Sequence, residues 1–248
     1  MSPAPDSKRE PAALPADLMD ASIESRSDAK LFGSDMHDPG ISRVLTTISI
    51  YDFPEDYPNW VAEDDKVQPV SEIEGIGLNI SPLDTGSEIT IFHAQARVLD
   101  LGQLEDPYET LDADSQELEA YGCLFDLDEG GLHPDLESRL MGAFYSHIVI
   151  LERVRLAPAW RGKGGVGRYL TARALPMICP YAAAVALQPY PLDVKRHEDS
   201  YPEAVQRVQR TWRSLGFEPY SNSIWVLDPN TGDYERTVAR LEAELGLS

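Results

Sequence analysis

Apolar positions recur along the chain with two different spacings, which divide it into strands and helices. Alternating or continuous apolar runs predict strands at residues 44–53, 73–81, 88–101, 147–156, 182–189 and 224–228. Apolar positions three and four residues apart predict helices at residues 106–124, 134–144, 165–179, 202–215 and 233–245. Strands follow one another early in the chain and alternate with helices later. We therefore expect an α/β fold of the α+β type, with a mixed, mostly antiparallel sheet flanked by helices.

The first 40 residues lack this periodicity and differ in composition from the rest. They are rich in Pro, Ala, Ser and Asp, so residues 1–40 are predicted to be an acidic, proline-rich tail that is partly disordered. Residues 41–248 are predicted to form one domain. Residues 103–145 are predicted to be a helical insertion between two strands of that domain.

The strand at residues 147–156 has a carboxylate among apolar residues. Strict alternation places Glu152 on one face with Ile148, Ile150, Val154 and Leu156. A carboxylate in such surroundings is a candidate general base, and Glu152 is the catalytic residue that we predict. The opposite face carries His147, a second candidate, together with Val149, Leu151, Arg153 and Arg155.

A basic, glycine-rich turn joins this strand to the next helix, in the run ILERVRLAPAWRGKGGVGRYL at residues 150–170. Glycines let backbone N–H groups approach an anion, and the helix N-terminus adds a partial positive charge. Arg161, Lys163 and Arg168 add full positive charges. The turn therefore predicts a phosphate-binding loop.

The same run resembles motif A of the GNAT superfamily of N-acetyltransferases. The matching residues, in order, are Leu156, Pro158, Arg161, Gly162, Gly164 and Leu170, with one extra residue before Gly167. Residues 211–229 resemble motif B of the same superfamily, where a helix ends in Leu-Gly-Phe, here at Gly216. The two motifs span residues 148–228, and the resemblance does not extend to the first 145 residues.

This resemblance implies acetyl-CoA as the cofactor and direct transfer of its acyl group to an amine. It implies that the backbone of Val154–Leu156 pairs with pantetheine and that the loop holds the pyrophosphate. It also agrees with Glu152 as the base, since the superfamily often places a glutamate on this strand. The predicted cofactor-binding residues are Val154, Arg155, Leu156, Arg161, Gly162, Lys163, Gly164, Gly165, Val166, Gly167 and Arg168.

Two alternative functions remain open. Trp212 stands where the superfamily usually has the tyrosine that protonates the leaving thiolate, and Tyr220 and Ser221 are the nearest hydroxyls in sequence. One alternative is therefore a non-catalytic, GNAT-like module that binds an acyl-CoA or a partner. The other is a P-loop-like ATPase, because KGGVGR resembles the deviant Walker A loop of ParA/MinD ATPases. Arg168 argues against the ATPase hypothesis, because it replaces the lysine that this loop requires.

Charge is uneven along the 248 residues, whose formal net charge is −21. Residues 1–145 carry 31 acidic and 8 basic side chains, and residues 146–248 carry 11 and 13. An acidic chain of this kind is a poor nucleic-acid binder. The resemblance implies a small-molecule or peptide amine as the acceptor. The acidic half favours solubility and would also suit a cationic amine.

Little in the sequence suggests a membrane or a metal. No apolar run approaches the ~20 residues of a membrane span, and the first residues lack a signal-peptide core, so we expect a cytoplasmic protein. Two cysteines, Cys123 and Cys179, make neither a disulfide framework nor a metal site. The sequence leaves a homodimer open.

Overall fold

The computed structural model describes residues 22–28, 41–50, 89–104, 106–114, 116–126, 131–141, 145–157, 160–162 and 164–247. Its strands form one sheet in the order β1-β2-β3-β4-β5-β7-β6, and every neighbouring pair except β4 and β5 is antiparallel. The predicted mixed, mostly antiparallel sheet is therefore confirmed. The strands are β1 (Ser22–Asp28), β2 (Ile41–Ile50), β3 (Ile89–Asp100), β4 (His147–Leu156), β5 (Ala182–Leu187), β6 (Glu218–Ser221) and β7 (Ile224–Leu227).

Helices flank the sheet on both sides, as expected. We call the side covered by the helices after β4 the helix face, and the side covered by the described residues of the predicted insertion the insertion face. Among the described helices, none combines the length and the apolar character that a membrane-spanning segment needs. The helices are α1 (Pro107–Asp114), α2 (Gln116–Glu119), α3 (Pro134–Glu137), α4 (Val166–Ile178), α5 (Tyr201–Ser214) and α6 (Gly232–Leu245), with a 3₁₀ turn at Ala120–Leu124.

Each face of the sheet has its own apolar core. On the helix face, Val149 and Leu151 of β4 share a core with α4 and α6. The hydroxyl of Tyr234 ties these two helices together by donating to the carbonyl of Ala172 at 2.6 Å. On the insertion face, Ile148 and Ile150 pack with buried residues of the insertion, namely Leu111, Leu118, Tyr121, Leu124, Phe125 and Leu136.

The helix α5 ends where Leu-Gly-Phe predicts. Gly216 has φ +97°, a left-handed conformation that favours glycine. The amide of Phe217 donates back to the carbonyl of Trp212 at 3.2 Å, which closes the helix. Trp212 packs against the core, and its ring meets that of Phe217 edge-on, with centroids 5.2 Å apart.

The two edge strands, β1 and β6, were not predicted. β1 lies within the segment interpreted as a tail and pairs with β2 over its whole length. The helix predicted at residues 134–144 is a single turn, α3. It stops because the amides of Arg139 and Leu140 bond to carbonyls three residues back, which tightens the chain into a turn. The strand predicted at residues 73–81 lies outside the described residues.

A bulge in β4 corrects the predicted alternation of that strand. Leu151 lies opposite Ala96 and Arg153 opposite Gln95, so Glu152 is an extra residue with no counterpart on β3. Beyond the bulge the faces exchange. Val154 and Leu156 pack on the helix face with Val149 and Leu151, and not with Ile148 and Ile150 as strict alternation predicted.

Candidate functional site

The cleft lies where the two parallel strands separate. β4 pairs with β5 from His147 to Ile150, whereas residues 151–156 continue without a β5 partner among the described residues. A cavity of about 1100 Å³ opens at this point. Its walls come from β3, β4, the glycine-rich loop, α4, α5, the segment after β5 and the insertion. Because the carboxyl ends of both parallel strands face the cavity, the loops that follow them surround it.

The glycine-rich loop presents open backbone to this cleft. Gly162, Gly164 and Gly165 have φ values of +74°, +57° and +109°. A Cβ at Gly162 or Gly164 would meet nothing within 4 Å. α4 begins directly after Gly165, so its first amide groups lack carbonyl partners within the helix and are available to an anion.

The lining of the cleft is strongly basic although the protein is acidic. Among the lining residues, arginines outnumber the two carboxylates, Glu152 and Asp193. A concave surface of one sign concentrates its field, so this cleft attracts anions. The arginines are Arg97, Arg153, Arg155, Arg161, Arg168, Arg196 and Arg207.

Two of the predicted phosphate ligands also hold the cleft together. Arg161 donates from Nε to the carbonyl of Leu156 at 2.9 Å, and its Nη1 lies 3.3 Å from Oδ2 of Asp193. This arginine therefore bridges the ends of the two loops that border the cleft.

Arg168 connects α4 to the two helices that follow it. Its Nη2 lies 3.2 Å from Oε2 of Glu244, and its Nη1 donates to Oγ of Ser214 at 3.4 Å. A Cβ at Gly165 would come within 2.7 Å of the same guanidinium, so the charge lies directly beside the loop backbone.

Most of the predicted cofactor residues do meet at one place. Val154, Arg155, Leu156, Arg161, Gly162, Gly165, Val166, Gly167 and Arg168 line the cleft. Gly164 belongs to the loop without lining the cavity, and Lys163 lies outside the described residues.

Glu152 lies in the cleft, at the bulge, and its side chain is 18 % exposed. Its Oε1 accepts from Nε of Arg97 at 3.2 Å, across the sheet on β3. Its Oε2 is buried and has no hydrogen-bond partner among the described residues. The bulge thus turns the carboxylate toward a buried arginine, and one oxygen remains for a ligand.

The insertion contributes a wall of the cleft that sequence reasoning missed. Leu118, Ala120 and Tyr121 line the cavity, and Leu118 and Tyr121 belong to the core of the insertion face. Leu118 and Tyr121 are 1 % and 5 % exposed, so they are firmly packed. The amphipathic pattern of the insertion indicated that it packs on the sheet, but not which residues border the cleft.

The hydroxyls nearest in sequence to Leu-Gly-Phe do not reach the cleft. Tyr220 and Ser221 line a second cavity of about 1080 Å³, where the guanidinium of Arg139 lies 5.3 Å from the Tyr220 ring. The first cleft has a different phenol, Tyr190, which follows β5. Its position after the carboxyl end of a buried parallel strand was a usable signal in the sequence.

Neither the candidate His147 nor His93 lines the cleft. His147 starts β4, and its Nε2 lies 4.0 Å from Oδ2 of Asp100. His93 lies on β3 opposite Arg155. Burial, and then the charges of Arg155 and Arg153, lower the pKa of His93 to about 4. This imidazole is therefore neutral near pH 7, chiefly because burial disfavours its charged form.

The described residues contain no group of three or more His, Cys, Asp or Glu side chains that could hold a metal ion.

Comparisons with protein-family models, with curated proteins and with solved structures give no match to this chain.

Proposed function

We propose that this protein is a CoA-dependent N-acyltransferase of the GNAT kind that transfers an acyl group directly to an amine. The observation that carries the proposal is the gap between β4 and β5, which leads from an unpaired strand edge to a glycine-rich loop and a helix N-terminus. A free strand edge that leads to an anion-binding loop suits a ligand in which an extended chain with amide groups is attached to phosphates.

The unpaired edge of β4 suits pantetheine. An extended ligand with amide groups can add to a free strand edge through backbone hydrogen bonds. The edge runs through residues 151–156, which include the predicted pantetheine segment Val154–Leu156. Val208 and Trp212, both half-buried, line the same cleft and give it an apolar surface for the methylene groups.

The glycine-rich loop and the arginines suit the phosphates of CoA. The pyrophosphate would meet the amides at the start of α4, with Arg161 and Arg168 beside them. ATP is a poorer fit, because Arg168 stands at the lysine position of a P-loop, and a planar guanidinium does not replace the compact ammonium that such a loop requires.

Glu152 is placed to assist the amine. It lies two residues before Val154, so a thioester continuing from pantetheine would end near its carboxylate. The amine nitrogen attacks the carbonyl carbon, the C–S bond breaks, and the sulfur leaves with the bonding electrons. Oε2 of Glu152 accepts the proton of the amine directly or through water. A thiolate is stable enough to leave without an acid, so Trp212 does not prevent turnover.

The runner-up is a GNAT-like module that binds an acyl-CoA without turnover. Trp212 favours it, because this residue packs in the core and offers no acid at the expected position. Release of free CoA thiol in the presence of amines separates the two readings.

Calorimetry with CoA, and with ATP plus Mg²⁺, tests the ligand. We expect CoA to bind and ATP not to bind. Gly162→Asp should abolish CoA binding, because it puts a side chain and a negative charge at the phosphate position. Gly131→Asp is the matched control, since both glycines have positive φ values (+74° and +81°) and open space around a Cβ. Binding of Mg·ATP without CoA binding would overturn the proposal.

A further inference from the structure

The cleft has a second compartment on the insertion face. Residues directly opposite each other on antiparallel strands point to the same face. Arg97 lies opposite Ile150, and Gln95 opposite Arg153. Ile150 packs in the core of the insertion face, which places Arg97 there too. We call this compartment the acceptor chamber, lined by Gln95, Arg97, Glu152, Arg153, Leu118, Ala120 and Tyr121.

The acceptor chamber offers one site for an amine. Oε2 of Glu152 is buried, lacks a hydrogen-bond partner among the described residues and borders the cavity. Oε1 is held by Arg97, which is 6 % exposed, so the carboxylate has a fixed orientation. A buried acceptor atom without a donor is costly, and an N–H group of a ligand would satisfy it.

The chamber also offers one site for an anion. Arg153 is the next residue along β4, its side chain is exposed to the cavity, and it forms no ion pair within the described ranges. The only carboxylate among the residues that line the chamber is Glu152, and its charge is already opposed by Arg97. The positive charge of Arg153 is therefore left for the ligand.

The pKa of His93 agrees with a positive charge in the acceptor chamber that no carboxylate balances. Burial lowers the pKa of His93 on the adjacent strand, and the charges of Arg155 and Arg153 lower it further, to about 4. A dicationic amine would meet this field unfavourably. An amine that carries its own negative charge close by would be attracted to it.

We propose, on the basis of the acyltransferase function above, that the acceptor is a compact amino carboxylate such as an amino acid. Its amine meets Oε2 of Glu152, and its carboxylate meets the guanidinium of Arg153. The apolar wall of Leu118, Ala120 and Tyr121 contacts the side chain of the acceptor. In the reaction the amine nitrogen bonds to the acyl carbon, the C–S bond of the thioester breaks with its electrons going to sulfur, and the amine proton passes through Glu152 to solvent. The departing thiolate takes up one proton, so the products are an N-acyl amino acid and CoA thiol.

A panel of matched amines tests this inference, with acetyl-CoA as donor and free thiol as readout. Each amino acid is compared with its carboxamide and with its decarboxylated amine. We expect the amino acids to have kcat/KM values about 10- to 100-fold above those of the counterparts that lack the carboxylate, the scale of a lost charge-assisted hydrogen bond.

Arg153→Gln tests the residue assignment. It should raise KM for amino acids by about 10- to 100-fold, leave kcat and CoA affinity within a few-fold, and abolish the preference over carboxamides. Arg210→Gln is the matched control, since it makes the same charge change on α5, outside the lining of the cleft. It should behave as wild type.

The two proposals fail differently. If carboxamides or decarboxylated amines are used as well as amino acids or better, or if Arg153→Gln keeps the preference, the acceptor inference is wrong while the acyltransferase proposal stands. If CoA binds and no amine in the panel releases thiol, the non-catalytic reading replaces the acyltransferase and the acceptor inference is overturned with it.

Discussion

The titration of His93 offers a quantitative test of the electrostatics around the cleft. Its pKa is lowered from 6.5 to about 4, first by burial and then by Arg155 and Arg153. At 1.36 kcal/mol per unit, this difference corresponds to about 3 kcal/mol between the charged and neutral forms. The imidazole is therefore neutral in the folded protein over a range of pH in which the unfolded chain is protonated.

The sign of the effect on stability follows from the lowered pKa. Above pH 6.5 the imidazole is neutral in both states, and stability is not reduced by His93. As the pH falls from 6.5 to about 4, the unfolded chain gains a proton that the folded protein does not. The free energy of unfolding should then fall by up to about 1.4 kcal/mol per pH unit, and by about 3 kcal/mol in all.

Urea unfolding of wild type and His93→Gln at several pH values measures this contribution. Carboxylates titrate in the lower part of the same range in both proteins, so the difference between the two curves isolates the imidazole. NMR titration of the His93 ring gives its pKa directly. Arg155→Gln should raise that pKa more than Arg153→Gln does, because Arg155 is the larger of the two charge effects. A native His93 that titrates at pH 6 or above would refute the reasoning.

Three further predictions concern single side chains. Trp212→Phe should keep turnover within a few-fold of wild type while lowering the free energy of unfolding by about 1 kcal/mol, since its ring packs on Phe217; a loss of thiol release in a folded protein would contradict this. Glu152→Gln should lower kcat by about 10²–10⁴-fold with CoA affinity nearly unchanged, measured by thiol release and calorimetry; full activity would remove it as the base. Tyr234→Phe should lower the free energy of unfolding by about 1 kcal/mol in urea, because the bond to Ala172 is lost; unchanged stability would mean that this bond contributes nothing net.

Predictions from local rules held in the second half of the chain. The bounds of β4 agree with the predicted strand, and α4, α5 and α6 begin and end within a residue or two of their predicted ranges. Gly216 stops α5 because a left-handed residue is a local requirement that glycine meets. The glycine-rich loop could be predicted from the sequence for the same reason, because positive φ values and a helix start depend on neighbouring residues alone.

Features that depend on contacts between residues far apart in the sequence could not be predicted from local patterns. The bulge at Glu152 exists only because β3 runs beside β4 in a particular register, and it exchanges the faces of Val154 and Leu156. The ion pair of Glu152 joins it to Arg97, 55 residues earlier. Local spacing carries no information about such a pair.

The sequence by itself determined the loop, its charges and the strand and helix on either side, because these follow from backbone preferences over a few residues. The tertiary structure decided what surrounds that loop. In the folded protein β4 separates from β5, Tyr121 of the insertion lines the cleft, and Tyr220 lines a different cavity. The physical reason is that a cleft is made by elements distant in sequence, whose register and burial are fixed by packing the whole sheet against both helical layers.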